Sequence, residues 1–274
     1  MNIPTNNPQT SLQSAGIHKD IWFSGNEYEH YSQFIQKKNA AVLARLHKSS
    51  QRLNTIFELG CGTGNLTEEI LLSCETNHID ALDISNDMIS IAKSKSALNS
   101  VKFFCTPFLD FIPTIKYSAI FSNAAFHWLY PMYLESLIKM ESMLLDNGLV
   151  YIATAGENLN SLAFDAWIDE RLHNAFASHE YQPFASRRLD IAQFESMVAS
   201  TPFILQDAFI LERWAKIKIS HYVEWFISSG ALWNINEHEV PELKKFLICR
   251  LSESGDGQEY ISMGHWSLFA ILKK

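Results

Sequence analysis

The chain lacks the features that would place it at a membrane, on nucleic acid or around a metal. Residues 1–20 are polar, and no apolar stretch approaches the ~18–20 residues that span a bilayer. No basic run is longer than two residues and the formal net charge is −8, which disfavours nucleic-acid binding. The four cysteines show no C-x-x-C pair, and the histidines show no metal-ligand spacing. We expect a cytoplasmic protein with no metal, no membrane contact and no nucleic-acid partner.

Hydrophobic residues are abundant, at 47% of 274 residues, which is enough for one large core, or a core with an inserted subdomain, without disulfides. The first 20 residues are rich in Asn, Gln, Ser and Thr, which predicts a poorly ordered arm. A single helix is predicted from about Tyr28 to His47. Residues 1–50 are therefore expected to form an arm and an N-terminal helical lid.

Short apolar runs alternate with amphipathic segments over residues 51–154. The pattern predicts strands near 55–59, 78–82, 101–105, 119–122 and 149–154, with helices near 65–73, 86–95 and 132–144. Elements that alternate at this length indicate a parallel, doubly wound sheet with right-handed crossovers. We expect these residues to form the ligand-binding core of an α/β protein.

The alternation ends after residue 154. Residues 155–201 read as a helical insertion between the fifth and sixth strands, placed to cap the carboxyl ends of the sheet. Residues 202–274 would complete the sheet, with a strand at 203–211, helices near 220–228 and 240–253, and a last strand within 266–272. The predicted fold is a doubly wound, mostly parallel, seven-stranded sheet.

Glycine is scarce, yet three of the 11 glycines fall within five residues, at Gly60, Gly62 and Gly64. They follow the apolar run 55–59 directly, so a buried strand leads into a turn too tight for Cβ atoms and then into a helix. Nineteen residues past Gly64, the second strand ends in Asp83. Such a unit holds a nucleoside, because loop N–H groups take the anionic end and the acid accepts the ribose hydroxyls.

Two residues of the loop bear on which nucleoside is held. Asn65 stands where a dinucleotide-binding fingerprint has its third glycine, which weakens the case for a pyrophosphate. Glu58 lies at the mouth of the loop, where it would repel a phosphate and attract an ammonium group. An amino-acid tail next to a positive sulfonium fits this acidic, glycine-lined mouth.

At this point the chain resembles the class I S-adenosylmethionine-dependent methyltransferases. The string Glu58-Leu59-Gly60-Cys61-Gly62-Thr63-Gly64 is similar to their first motif, and Leu82-Asp83-Ile84-Ser85 is similar to their ribose-binding segment. The resemblance continues through Met88 and Ala92, Phe121-Ser122-Asn123 and Asn147-Gly148, and covers residues 28–154 closely. His127-Trp128, Val223-Glu224-Trp225 and the N-terminal aromatics are similar to a group that methylates carboxylates, including malonyl-acyl carrier protein and trans-aconitate O-methyltransferases.

The resemblance implies S-adenosylmethionine as cofactor and assigns roles to residues of this chain. Cofactor contacts are expected from Glu58, Gly60, Cys61, Gly62, Gly64, Asp83, Ile84, Met88, Phe108 and Asn123. Catalytic roles are expected for His127, Tyr28 and Tyr31, and acceptor contacts for Trp22, Trp128, Arg187, Arg188 and Arg213. The family usually offers an acid to the adenine amino group after the third strand; here Pro107 takes that place, with Asp110 further along.

Several of these assignments have plainer alternatives. His127 is either a pocket residue, a general base or a packed strand-end histidine, and Trp128 is either site or core. The aromatic residues Tyr28 and Tyr31 share a helix face, so they would serve equally as the apolar side of an amphipathic helix. Arginine suits a carboxylate because its planar fork matches that group, but each candidate arginine would otherwise be a solvated surface charge.

The leading hypothesis is O-methylation of a carboxylate on a small acid or on a carrier-bound acyl group such as malonyl. A carboxylate is ionised at neutral pH, so it needs no general base, whereas a hydroxyl or protonated amine usually does. The alternatives are N-, C- or O-methylation of a secondary metabolite, and a non-catalytic protein that keeps the cofactor fold. The expected partner is a small acid or acyl carrier protein, and the expected assembly is a monomer or dimer.

Overall fold

The computed structural model describes residues 25–47, 52–163, 187–228, 238, 240–252 and 259–274. Seven strands within these ranges form one sheet in the order β3-β2-β1-β4-β5-β7-β6. The strands are β1 Thr55–Leu59, β2 His78–Asp83, β3 Lys102–Cys105, β4 Tyr117–Asn123, β5 Leu144–Ala155, β6 Ile204–Lys218 and β7 Tyr260–Lys273. β1 to β5 run parallel and β7 runs antiparallel to both its neighbours, so the predicted doubly wound, mostly parallel sheet is confirmed.

Helices cover both faces of the sheet. In chain order they are α1 Gly25–Tyr31, α2 Gln36–Arg45, α3 Asn65–Ser73, α4 Asn86–Ser94, α5 Tyr133–Met143, α6 Ile191–Val198, α7 Ile219–Ser228 and α8 Val240–Ser252. α4 begins where the Ser85 side chain accepts a hydrogen bond from the Met88 N–H, and α6 begins in a capping box between Asp190 and Gln193. None of the helices in the described ranges has the length and apolarity needed to cross a bilayer.

The apolar core consists of one layer on each side of the sheet. One layer packs α5 and α6 against the strands, with Leu137, Met140 and Phe194 fully buried. The other packs α2, α3 and α4, with Leu43 and Ile70 fully buried. Because helices cover both faces, the central strands are apolar along nearly their whole length. The carboxyl ends of β1, β2 and β4 are thereby held rigidly side by side.

The single helix predicted from about Tyr28 to His47 is instead two helices. α1 ends at Tyr31, a short 3-10 turn covers Ser32–Phe34, and Ile35 takes non-helical angles of φ −126° and ψ −66° before α2 begins. Ile35 is 2% exposed and packs in an apolar cluster with α7 and α8, whereas α2 packs on the sheet. The helix is interrupted at Ile35 because the segments on either side bury their apolar faces against different partners.

The last two strands are longer than predicted. β6 and β7 pair from Ile204↔Lys273 to Lys218↔Tyr260, with a register shift between Leu205 and Asp207, but β5 pairs with only the 267–273 half of β7. The remaining halves, 212–218 and 260–266, therefore continue past the sheet as a two-stranded ribbon. Ile217, Ile261 and Met263 of this ribbon pack with α7 and α8 in a third apolar cluster. Polar residues in the ribbon conceal its strand character in the sequence.

Two predictions fall wholly or partly on residues outside the described ranges. Trp22 and most of the N-terminal arm precede residue 25, and residues 164–186 of the helical insertion are likewise not described. The described part of the insertion includes α6, whose Phe194 and Val198 are buried against the sheet.

Candidate functional site

The three glycines after β1 differ in what surrounds them. All have positive φ, at +69° for Gly60, +53° for Gly62 and +87° for Gly64. A Cβ on Gly60 would lie 2.2 Å from the Ala125 Cβ, and one on Gly64 would lie 2.5 Å from the Leu98 Cδ1. A Cβ on Gly62 would meet only the Tyr28 ring, at 3.9 Å. Packing therefore requires Gly60 and crowds any side chain at Gly64, whereas Gly62 faces open space beside the Tyr28 ring.

Asp83, at the end of β2, is bonded to the loop that it faces. Its Oδ2 accepts a hydrogen bond from the Gly62 N–H at 2.7 Å, and its Oδ1 accepts one from the Ser85 N–H at 2.8 Å. Burial raises the pKa of this carboxyl group, while the backbone donors oppose the rise. Each oxygen keeps a further lone pair, so Asp83 can accept two more hydrogen bonds from ligand hydroxyls.

Glu58 is an acid buried at the carboxyl end of β1. It is 1% exposed, and its Oε2 accepts a hydrogen bond from the Thr67 hydroxyl at 2.6 Å. Burial raises the pKa of Glu58 to about 8; the Thr67 bond opposes this rise and the Asp83 charge adds to it. A buried carboxyl group of this kind becomes a carboxylate readily only when a cation comes to face it.

Further acceptor oxygens lie close to Glu58. The side-chain oxygens Gln36 Oε1, Asn65 Oδ1 and Asn123 Oδ1 are buried and have no hydrogen-bond partner in the described structure. A buried acceptor without a donor costs free energy, so each of them favours a ligand that brings N–H groups. With Glu58, they form a wall suited to an ammonium group.

These residues line one cleft at the carboxyl ends of β1, β2 and β4, with about 980 Å³ of empty space including the part open to solvent. Eleven of the residues that were given a cofactor, catalytic or acceptor role from the sequence line it: Tyr28, Glu58, Gly60, Cys61, Gly62, Asp83, Ile84, Met88, Phe108, Asn123 and Trp128. Gly64, Tyr31, His127, Arg187, Arg188 and Arg213 do not. The sequence reasoning gave no role to Gln36 or Ala124, which also line the cleft.

The far end of the cleft, beyond Asp83, has no acid. Thr106, Pro107 and Phe108 line this end, whereas Asp110 is exposed and does not line the cleft. Asp110 therefore does not supply an acid to this end of the cleft in the structure. The only acidic residues in the lining of the cleft, among the residues described, are Glu58 and Asp83.

α1 is fastened over the glycine loop. Its Glu29 carboxylate accepts a hydrogen bond from the Thr63 hydroxyl at 2.5 Å and pairs with Lys95 at 3.0 Å. This places Tyr28 across from Gly62, where burial raises the pKa of its hydroxyl well above the usual range, so the phenol is neutral. Tyr31 points elsewhere and contacts the His221 ring, with ring centroids 5.3 Å apart.

His127 lies just behind the cleft wall, in a 3-10 turn after β4. It is buried, and its Nδ1 lies 3.3 Å from the Thr154 hydroxyl. Burial lowers the pKa of His127 well below 6.5, and the charges of Arg187 and Arg188 lower it further. The imidazole is therefore neutral at pH 7, and it lies next to Trp128, which does line the cleft.

The three candidate arginines have different surroundings. Arg187 is 1% exposed, so the alternative of a solvated surface charge is wrong for it; its guanidinium lies 4.6 Å from the Trp128 ring centre, and burial lowers its pKa to about 10. Arg188 donates to the Gly156 carbonyl at 3.1 Å. Arg213 donates from Nε to the Asn39 side-chain oxygen at 3.2 Å. The positively charged guanidinium groups therefore lie behind the cleft, on the side of β7.

His265 completes this basic group from β7. Burial lowers the pKa of His265 to about 3, and the charges of Arg188 and Arg213 add to the effect. No group of three or more His, Cys, Asp or Glu side chains in the described structure is arranged to hold a metal ion. The basic group therefore presents cations and neutral imidazoles to whatever enters beside Trp128.

Comparison with known proteins finds methyltransferases among the proteins to which this chain is similar. Residues 56–148 match the family described as a methyltransferase domain. The crystal structure of a Bacillus halodurans C-125 protein named as a methyltransferase superposes with a TM-score of 0.58 at 14% identity, over 86% of this chain and 99% of that chain. The fold is that of the class I methyltransferases.

Two relatives have names that state what they methylate. A malonyl-[acyl-carrier protein] O-methyltransferase of Ilyobacter polytropus is 35% identical over 149 residues, which are 54% of this chain and 56% of that protein. Another, of Bacillus cytotoxicus, is 29% identical over 168 residues, or 61% and 55% of the two chains. The chain spans a little over half the length of these relatives. The resemblance to methyltransferases of this group is confirmed.

Proposed function

We propose that this chain uses S-adenosylmethionine to O-methylate a carboxylate, either on a small acid or on an acyl group held by acyl carrier protein, such as malonyl. The relatives' names support the choice of acceptor, and the cleft supports the choice of cofactor. The observation that carries the proposal is the cradle formed by Glu58, Gly62 and Asp83.

The residues of this cradle fit each part of the cofactor. Asp83 has lone pairs left for two ribose hydroxyls, and the open side of Gly62 leaves room that any Cβ would take. Glu58, with the unpartnered Gln36 and Asn123 oxygens, suits the ammonium of an amino-acid tail. When bound, S-adenosylmethionine supplies an electrophilic methyl group on a positively charged sulfur.

The surroundings of His127 suit an anionic acceptor. A carboxylate, with its ordinary pKa near 4, is already ionised at neutral pH, so the protein has only to orient it and exclude water. Arg187 lies over the Trp128 ring, and the charges of Arg187 and Arg188 act on His127 behind it. Arg213 lies beside His265 in the same basic group. The charge of these arginines stabilises a carboxylate that enters beside Trp128.

A second candidate is methylation of a hydroxyl or amine, with His127 as general base. The neutral state of His127 favours it, because the imidazole is free to accept a proton at pH 7. The same low pKa makes His127 a weak base, however, and it lies behind the cleft wall. A non-catalytic protein fits less well, because the acids and glycines of the cradle are all present.

The deciding experiment supplies radiolabelled S-adenosylmethionine with malonyl-acyl carrier protein, acetyl-acyl carrier protein or free malonate. We expect base-labile label on the malonyl carrier or on malonate, and none on the acetyl carrier, which has no free carboxylate. The Asp83→Ala variant should remove the activity by weakening cofactor binding. Label in an alkali-stable ether or amine, or equal labelling of the acetyl carrier, would reject the carboxylate acceptor.

A further inference from the structure

We infer that Arg213, Trp225 and His265 form a subsite that binds the anionic group of the acceptor. The inference rests on the proposed function and names the residues that would recognise its substrate. The three side chains come from β6, α7 and β7, and all of them present donors.

Trp225 contributes an N–H group without a partner. Its indole Nε1 is buried and has no hydrogen-bond acceptor in the described structure. The ring packs edge-on against Phe34, with centroids 5.8 Å apart, and lies 6.4 Å from the His265 ring. Buried indole N–H groups are normally hydrogen-bonded, because burial of an unpaired donor removes its bond to water without replacing it. The Trp225 N–H is therefore a donor that a ligand can satisfy.

Arg213 contributes a cation whose outer edge is free for a ligand. It lies opposite His265 in the β6–β7 register, so the two side chains are neighbours on one face. Its Nε donates a hydrogen bond to the Asn39 side-chain oxygen, which orients the guanidinium. The two terminal amino groups remain available to a ligand. No carboxylate lies within ion-pair distance of Arg213 in the part of the chain described. A bidentate carboxylate is the ligand that this edge matches best.

His265 is oriented by a short chain of hydrogen bonds. The Ser267 hydroxyl accepts from Asn39 Nδ2 at 2.7 Å and lies 3.1 Å from His265 Nδ1. Because this hydroxyl already accepts from Asn39, we assign its hydrogen to Nδ1, which leaves Nε2–H as a donor. Asn39 thus positions both Arg213 and His265.

The subsite is near the cofactor cleft, along α2 and past His127, although none of its three side chains lines that cleft. Asn39 lies one helical turn, about 5 Å, beyond Gln36, whose side chain lines the cleft. His265 also lies close enough to His127 to lower its pKa. An acceptor whose anionic group is bound here would extend along this face towards Trp128.

Arg187 and Arg188 are less suited to this role. The Arg187 guanidinium lies over the Trp128 ring and is almost fully buried. Arg188 donates to the Gly156 carbonyl and lies by Trp266, which follows His265 on β7 and has its side chain on the other face of that strand. These two residues support the wall of the cleft, and Arg213 presents the open edge.

The test follows the indole N–H signals of the seven tryptophans by NMR, in protein saturated with S-adenosylhomocysteine, while malonate is added. The Trp225→Phe variant, which keeps an aromatic ring, identifies the signal of Trp225. We expect this signal to shift with malonate and to stay in place with malonamide, which has the same shape without the charge. In Arg213→Gln, the malonate concentration at the midpoint of this titration should rise about tenfold or more, because a charge-assisted bidentate pair is lost.

Matched controls exist for both variants. Arg52→Gln removes another arginine that is bonded to an asparagine, Asn77, but at an exposed position. Trp214→Phe removes another indole N–H, one that donates to Glu212 on a side chain 57% exposed. Both controls should leave the malonate midpoint unchanged.

The outcomes separate the inference from the proposed function. Protein that binds S-adenosylhomocysteine but shows no shift of the Trp225 signal, or the same midpoint in Arg213→Gln, would overturn the subsite and leave the cofactor assignment intact. Failure of S-adenosylhomocysteine to bind the unmodified protein would overturn the proposed function itself.

Discussion

Replacing different glycines of the loop by the same residue should have different effects on stability and on cofactor binding. Gly62→Val adds a side chain to open space, so we expect the protein to fold with Tm lowered by only a few degrees, from a strained φ that costs about 1–2 kcal/mol. Binding of S-adenosylmethionine should fall more than tenfold. Gly60→Val meets Ala125 and should instead destabilise the fold strongly. Calorimetry and thermal melting of both variants test this; equal losses of stability would contradict it.

Glu58 should couple cofactor binding to proton release. Burial raises the pKa of Glu58 to about 8, so in the free protein the group is mostly neutral at pH 7. An incoming ammonium lowers that pKa, so binding at pH 7 should release up to about one proton and tighten as pH rises towards 8. Titration calorimetry in buffers of different ionisation enthalpy measures this release. Glu58→Gln should abolish it; a buffer-independent enthalpy in the unmodified protein would rule it out.

His127 separates the two acceptor classes by the size of its effect. His127→Gln keeps hydrogen-bonding capacity and removes the base, so with a carboxylate acceptor the rate should fall less than about tenfold. General-base catalysis contributes about 10²–10⁴-fold, so a hundredfold loss would indicate a hydroxyl or amine acceptor. At saturating cofactor, the pH profile does not separate a carboxylate from a hydroxyl acceptor, because burial holds the pKa of His127 well below 6.5 and the rate with either acceptor is flat from about pH 6 to 8.

At the scale of elements, α1 should act as a latch on the cofactor cleft. Its Glu29 carboxylate accepts a hydrogen bond from the Thr63 hydroxyl, which ties α1 to the glycine loop. Thr63→Val removes this bond, so we expect S-adenosylhomocysteine to dissociate several-fold faster and amides in 25–31 to exchange faster, with little change in Tm. Glu68→Gln is the control, since Glu68 also pairs with Lys95, at 3.2 Å, but lies on α3. Dissociation at the unmodified rate in Thr63→Val would mean that α1 is a fixed wall.

At the scale of the whole molecule, stability without cofactor should fall on the alkaline side. The pKa of His265 is lowered from 6.5 to about 3, so the unfolded state binds more protons there between these pH values. This residue therefore makes the free energy of unfolding rise from about pH 3 to 6.5 and has no further effect above pH 6.5. The pKa of Glu58 is raised from 4.5 to about 8, so the folded state binds more protons through that window and loses stability as pH rises. We expect Tm to drop by about 3–6 °C between pH 6.5 and 8. Glu58→Gln should remove the drop; an unchanged slope in that variant would assign it to another group.

The sequence by itself determined the sheet, the cofactor loop and the acid beside it. β1, the loop, α3 and Asp83 lie within 30 consecutive residues, so apolar runs, tight-turn glycines and helix starts specify them locally. Parallel pairing then places Asp83 beside Gly62 without further information, because β1 and β2 end at the same edge. The glycine loop and Asp83 could therefore be predicted, along with most element positions.

Only the tertiary structure decided the break at Ile35, the β6–β7 ribbon and the setting of the basic residues. Helix propensity does not reveal that α1 and α2 face different partners, and a polar strand gains its hydrogen bonds only from the strand beside it. The face that Arg213 shares with His265 follows from a register set across more than 50 residues of chain. Trp225 joins them from a helix that packs under the same ribbon. Such proximity leaves no local trace in the sequence, because it arises from long-range pairing and packing rather than from the preferences of neighbouring residues.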